Sequence, residues 1–146
     1  MKNKSVHPTE VIPAGVIKEN RLVEMVFPER TNHYGTLFAG AALSLMVKSA
    51  YMLASRYSRH TVVVANSEKA DFQVPIKQGQ LIEIISKITK TGTTSMTVGV
   101  ELYSEDFLTG ERRLGTKGKF VLVALDKTGK PTKVPPLFDR VRSKSA

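Results

Sequence analysis

Apolar residues recur at three- and four-residue intervals between positions 35 and 57. Leu43, Met46, Val47, Ala50, Leu53, Ala54 and Tyr57 share one side of a helix, and Ser44, Lys48, Tyr51 and Ser55 take the other. Ala, Leu and Met dominate this stretch, and all three favour helix. Ahead of it, residues 22–27 form a short β-type run stopped by Pro28, and residues 29–35 read as a polar loop. Behind it the pattern turns to β. Residues 61–65 are rich in β-branched side chains, and the strand they predict extends towards Phe72, ahead of Pro75. Ile82, Ile84 and Ile88 share a face within 80–90, where Thr91-Gly92 makes a break. Met96, Val98, Val100 and Leu102 alternate through 93–103. A hairpin loop over 104–111 leads to a last strand, 112–125, which Asp126–Gly129 turns off. The last three strands, joined by short turns, should pair as an antiparallel meander. A single helix with so apolar a face needs cover, and a sheet curled around it is the simplest cover. The expected architecture is therefore α+β: one domain over 20–136, an extended arm over 1–19 and a basic tail over 137–146.

Composition narrows this picture. Apolar residues make up 41% of the 146 and charged residues 24%, a globular balance. No stretch approaches the roughly 20 continuous apolar residues of a membrane span; the longest, Leu37 to Ala54, is interrupted by Ser44, Lys48 and Ser49. The basic start Met1–Ser5 is not followed by an apolar signal core, so a cytoplasmic location is expected. The lack of cysteine excludes disulfides, thiolate metal sites and a cysteine nucleophile. The net charge of +9 suits an anionic partner such as nucleic acid, an anionic lipid surface or a phosphorylated small molecule, or else a generally charged surface. Lys87, Lys90, Arg112, Arg113, Lys117, Lys119 and the tail from Arg140 to Lys144 are scattered, and there is no Trp. The pattern is not that of a nucleic-acid reader. His7, His33 and His60 lack metal-ligand spacing, so no metal is expected, and no phosphate-loop or dinucleotide fingerprint occurs.

Four motifs carry a resemblance. Asn32-His33-Tyr34-Gly35-Thr36-Leu37-Phe38-Ala39-Gly40 resembles the loop-to-helix signature of the hotdog acyl-CoA thioesterases, with Ala39 in place of the first glycine of a pair. Phe72-Gln73-Val74-Pro75-Ile76-Lys77-Gln78-Gly79 looks like the family's Phe-x-x-Pro-x-x-x-Gly strand end. Gly92-Thr93-Thr94-Ser95-Met96 is similar to its Gly-x-Thr-Ser-Met strand. The run from Phe120 to Asp126, with Gly129-Lys130-Pro131 and Val134-Pro135, resembles its last strand and exit. Together these cover residues 22–136 in the family's order. The resemblance implies a hotdog fold, one long helix wrapped by a curved antiparallel sheet. It further implies hydrolysis of acyl-CoA to a free acid and CoA, with no separate cofactor. Subunits would pair through their sheets, with active sites between them, as a homodimer or a trimer of dimers.

That reaction needs an activator for the thioester carbonyl, a group that positions or deprotonates water, and an anchor for the CoA phosphates. Unpaired N–H groups at the helix start, at Ala39 and above all Gly40, suit the first need. Gly40 would equally serve plain close packing. Asn32 is either a loop cap or the amide that orients water or thioester; the resemblance favours the latter. His33 beside it is a candidate substrate contact or simply a loop residue. The resemblance places a catalytic Asp or Glu on the helix, two turns past the glycine pair, and that position holds Val47, which cannot accept a proton. Glu68 is then the first candidate for the acid, ahead of Asp71 and Glu24. The alternative is a non-catalytic or weakly active acyl-CoA-binding hotdog protein. Lys90 and Arg112, with Arg113 and Lys117, are candidate phosphate anchors, and Thr94 and Ser95 candidate ligand contacts, unless they serve cross-strand pairing alone.

Overall fold

The computed structural model describes residues 9–13, 15–68 and 70–137. Residues 1–8 of the expected arm and 138–146 of the expected tail lie outside the described residues. Strand β1 (Glu19–Met25) leads through a single 3-10 turn (Pro28–Arg30) and a loop into helix α1 (Ala39–Ser58). Then follow β2 (Thr61–Ser67), β3 (Asp71–Phe72), β4 (Leu81–Thr91), β5 (Ser95–Glu105) and β6 (Arg112–Leu125). The strands form one antiparallel sheet in the order β1-β4-β5-β6-β2, with β3 also on β6. The expected meander is its centre, and the helix lies along its inner face. This is the hotdog arrangement anticipated from the sequence.

The alternation in β4, β5 and β6 places Ile82, Ile84, Ile88, Met96, Val98, Val100, Leu102, Phe120 and Leu122 against the helix. The helix answers with Leu45, Met46, Ala50, Leu53 and Ala54. Here the structure corrects the sequence reading. Leu43 stays 37% exposed and Val47 is only half-buried, whereas Leu45 and Ser49 are buried. Ser49 is tolerated inside because its hydroxyl donates to Ser86 Oγ at 3.0 Å.

Two boundaries also differ. The helix begins at Ala39 rather than Gly35, because Gly35 adopts φ +75° and Leu37 N–H donates to Ile76 O at 2.6 Å, which holds this stretch extended. The strand expected to run from Thr61 to Phe72 is interrupted: β2 bulges between Val64 and Asn66, ends at Ser67, and pairing on β6 resumes at Asp71.

At the helix C-terminus Tyr57 is buried, and its hydroxyl donates to Pro135 O at 2.7 Å, clamping the segment that leaves β6. Tyr57→Phe should therefore cost about 1 kcal/mol in urea denaturation at pH 8. Burial pushes the Tyr57 phenol up. Its stabilisation is thus fully present below the unfolded-state pKa of about 10 and is lost as pH rises past it, so the gap between wild type and variant should narrow towards pH 10.5.

Candidate active site

The loop between the 3-10 turn and the helix is closed by its own backbone. Asn32 N–H donates to Thr36 O at 2.9 Å, and Gly35 N–H to Asn32 O at 3.1 Å. Thr31 bridges Leu37 within the loop, and Thr36 bridges Lys77 across to the segment before β4. Asn32 then acts as a side-chain cap inside this turn. Its Oδ1 accepts the N–H of Tyr34 at 3.0 Å and the N–H of Thr36 at 3.2 Å, and the Thr36 hydroxyl lies against both amide atoms, 2.9 Å from Nδ2 and 3.1 Å from Oδ1. Two backbone donors on one side of the amide fix the oxygen there. The amide nitrogen keeps one hydrogen beyond the bond to Thr36.

Asn32 and Ala39 line one cavity of about 330 Å³, together with Thr36, Phe72, Gln73 and Thr116 among others. The helix N-cap, Phe38, has no side-chain acceptor for the first-turn N–H groups, and that turn carries no acidic residue. The positive end of the helix dipole is therefore uncompensated by side chains beside Asn32. An amide N–H and helix-end N–H groups near one cavity suit stabilisation of an oxygen that gains negative charge.

The remaining sequence candidates are dispersed within the protomer. Gly40 lines a separate open groove with Leu43, Ser44, Val47, Lys48 and Tyr51. A Cβ on Gly40 would meet the Phe38 ring at 2.7 Å, so the glycine also admits that ring. Val47 thus lines the groove while packing half-buried against the core, rather than lying inside it. Glu68 lines a third cavity, formed with Ile85, Lys87, Gly99, Glu101 and Lys119. These strand positions alternate with the core residues, so the cavity is on the sheet face turned away from the helix. Within one chain, Glu68 and Asn32 line different cavities. Asp71 lines the same outer cavity, and Glu24 is ion-paired with Arg30. Changing Glu68 to Gln should consequently leave acyl-thioester turnover within about twofold of wild type in a steady-state assay.

His33 points to solvent, its ring centroid 4.0 Å from that of Tyr34. Arg112 is held by Glu83 at 3.1 Å and Glu105 at 3.7 Å and lies 5.0 Å over the Tyr103 ring. The Glu83 hydrogen bond raises its pKa, and as a phosphate anchor Arg112 would have to leave these partners. Thr94 and Ser95 sit at the β4–β5 turn. Ser95 pairs with Val123, seven residues along β6 from the cavity residue Thr116, so it lies about 23 Å away. Lys90, near the end of β4, shares that far end of the sheet. Among the described residues no group of three or more His, Asp or Glu could hold a metal ion. No helix of the described residues is long and apolar enough to cross a membrane. Sequence reasoning missed Thr36 and Gln73 as cavity residues. The signal for Thr36 was its spacing, four residues after Asn32 across a glycine.

Residues 34–110 match the model of the thioesterase superfamily. The chain belongs to this superfamily. One thioesterase-superfamily relative is the uncharacterized acyl-CoA thioester hydrolase YkhA of Bacillus subtilis. It is 39% identical over 120 residues, covering 81% of this chain and 70% of its own. Among solved structures, an acyl-CoA hydrolase from Staphylococcus aureus in complex with butyryl coenzyme A and coenzyme A superposes with TM-score 0.79. It shares 30% identity, covering 86% of this chain and 78% of its own. A hexameric acyl-CoA thioesterase superposes with TM-score 0.80 at 34% identity, covering 87% and 81%. The Staphylococcus aureus enzyme has been solved with an asparagine, an aspartate and a threonine each changed to alanine; the aspartate lies 15 positions after the asparagine and the threonine 32 after it. In this thioesterase-superfamily chain the same counts from Asn32 fall on Val47 and Val64.

Proposed function

We propose that the protein is an acyl-CoA thioesterase, hydrolysing acyl-CoA to a carboxylic acid and CoA without a cofactor, in the cytoplasm. The observation that carries this reading is the Asn32 cavity, where a fixed amide donor stands beside an uncapped helix N-terminus. In the proposed reaction the thioester carbonyl oxygen takes the free Nδ2 hydrogen of Asn32 and a first-turn N–H of Ala39 or Gly40. Water adds to the carbonyl carbon, the C–S bond breaks, and the CoA thiolate leaves and is protonated. The donors lower the barrier by meeting the charge that grows on oxygen as water adds.

A pair of protomers completes the site in this reading. β2 is an edge strand, and Val63 and Val64 on it are 44% and 42% exposed. The Gly40–Val47 groove lies on an uncovered flank of the helix. Joining two sheets through β2 would cover both and bring one protomer's groove towards its partner's Asn32 cavity. The proposed assembly is a trimer of such dimers, a subunit count that matches the hexameric thioesterase. Light scattering on the purified chain tests it, with a monomer as the opposing result.

Thiol release from acyl-CoAs of graded chain length tests the activity. Release above the buffer rate, with saturation, supports hydrolysis; none at any chain length sinks it. A second reading is favoured by Val47, a side chain that cannot accept a proton where the Staphylococcus aureus count reaches an aspartate. This reading is an acyl-CoA-binding protein with little or no turnover. Binding by calorimetry without thiol release would select it.

A further inference from the structure

We infer that Thr36 is the positioning residue for Asn32. Its hydroxyl bridges both amide atoms and holds the amide plane, while the backbone N–H groups of Tyr34 and Thr36 fix the oxygen, so the other Nδ2 N–H is offered to a carbonyl in the cavity. The inference rests on the thioesterase reading and adds a residue to it.

An asparagine amide can present either face to a ligand, because a half-turn about its last torsion exchanges oxygen and nitrogen at little steric cost. At Asn32 the exchange is opposed at the oxygen. It would set Nδ2 hydrogens against the N–H groups of Tyr34 and Thr36, which now donate to Oδ1 at 3.0 and 3.2 Å. Thr36 Oγ1 lies 2.9 Å from Nδ2, whose hydrogen it accepts, and 3.1 Å from Oδ1, to which it can donate, so it does not choose between the two orientations but pins the amide in its plane. The two backbone donors place the oxygen, and the threonine hydroxyl, set against both amide atoms, stops the plane from tilting. Three contacts on a planar group leave it no rotation, and one N–H remains for the cavity that both residues line. This is preorganisation: the donor is already oriented when the carbonyl arrives.

The position of Thr36 does not depend on its hydroxyl. Its carbonyl takes the Asn32 N–H at 2.9 Å, and the residue bridges Lys77 in the neighbouring segment. Removing the hydroxyl should therefore leave the loop standing and free only the amide. That separates the proposed role from a structural one.

The test compares Thr36→Val, which keeps the shape and loses the hydroxyl, with Thr36→Ser, which keeps the hydroxyl. Thiol-release kinetics should show kcat about ten- to a hundredfold lower in Thr36→Val, with KM within about twofold and an unchanged melting temperature. Thr36→Ser should stay within about threefold of wild type. In an Asn32→Ala background, Thr36→Val should cost nothing further, because the group it orients is gone. Wild-type kcat in Thr36→Val, an equal loss in Thr36→Ser, or fully additive losses in the double variant would each overturn the inference. Absence of thiol release from the wild type would instead remove the thioesterase reading, and this role with it.

Discussion

Val47→Asp is expected to raise acyl-CoA turnover by about a hundredfold, the lower range for a positioned general base. Val47 is half-buried in the groove that begins at Gly40. Seven residues of helix separate the two, about 10.5 Å along the axis, so a carboxylate at 47 would face the same groove two turns below the helix start. The activity gained should vanish as pH falls through the pKa of the new aspartate, because only the carboxylate accepts a proton. Partial burial disfavours the charged form, which sets that pKa above the ordinary value of about 3.9. The cost is stability: a charge on a half-buried apolar site should lower unfolding free energy by about 1–2 kcal/mol. Val47→Asn, with similar bulk and no proton acceptor of that strength, should gain nothing. If Val47→Asp folds, binds acyl-CoA and turns over no faster than wild type, position 47 is not where the base belongs. Adding Val64→Thr then tests whether the threonine reached by the same count is needed as well.

The second large effect is at Asn32, where two substitutions separate shape from chemistry. Asn32→Ala removes both the free N–H and the cap of the loop, and turnover should fall about 10²- to 10³-fold with some loss of melting temperature. Asn32→Asp keeps an oxygen where Oδ1 accepts the Tyr34 and Thr36 N–H groups, and its charge strengthens those bonds. The loop should be at least as stable as in wild type. Turnover should nevertheless fall as far as in the alanine variant, because the donor has become an anion facing a carbonyl oxygen. An aspartate variant that kept or exceeded wild-type turnover would mean that Asn32 works as an acceptor for water. Thermal melts and thiol-release rates on the two proteins decide between these outcomes.

The elements were legible where one periodicity dominates. Met96, Val98, Val100 and Leu102 alternate without interruption, and β5 follows them; the helix was legible from its Ala, Leu and Met content. The start of the helix was not, because residues 35–38 are held extended by a bond from Leu37 N–H to Ile76 O, a partner far along the chain. The burial of Ser49 in place of Val47 was equally hidden: it depends on Ser86, 37 residues away, supplying a partner. Of the candidate site, Asn32 and Ala39 meet at one cavity. Thr94, Ser95 and Lys90 do not join them, since a motif in a meander shows the strand but not the end at which its residues will lie. Glu68 was offered for its charge and chain position, but it lies past the end of β2 and lines the cavity on the other face.

The bare edge of β2 bears on how the protein behaves when dilute. A strand with an unpaired edge and two exposed valines is a template for any other extended chain. A protomer separated from its partner carries that template into solution, where wrong pairing competes with right. Substitutions that loosen assembly should then appear first as precipitation and scattered light, before any soluble monomer accumulates. Subunit pairing would in that case guard solubility as well as build the site.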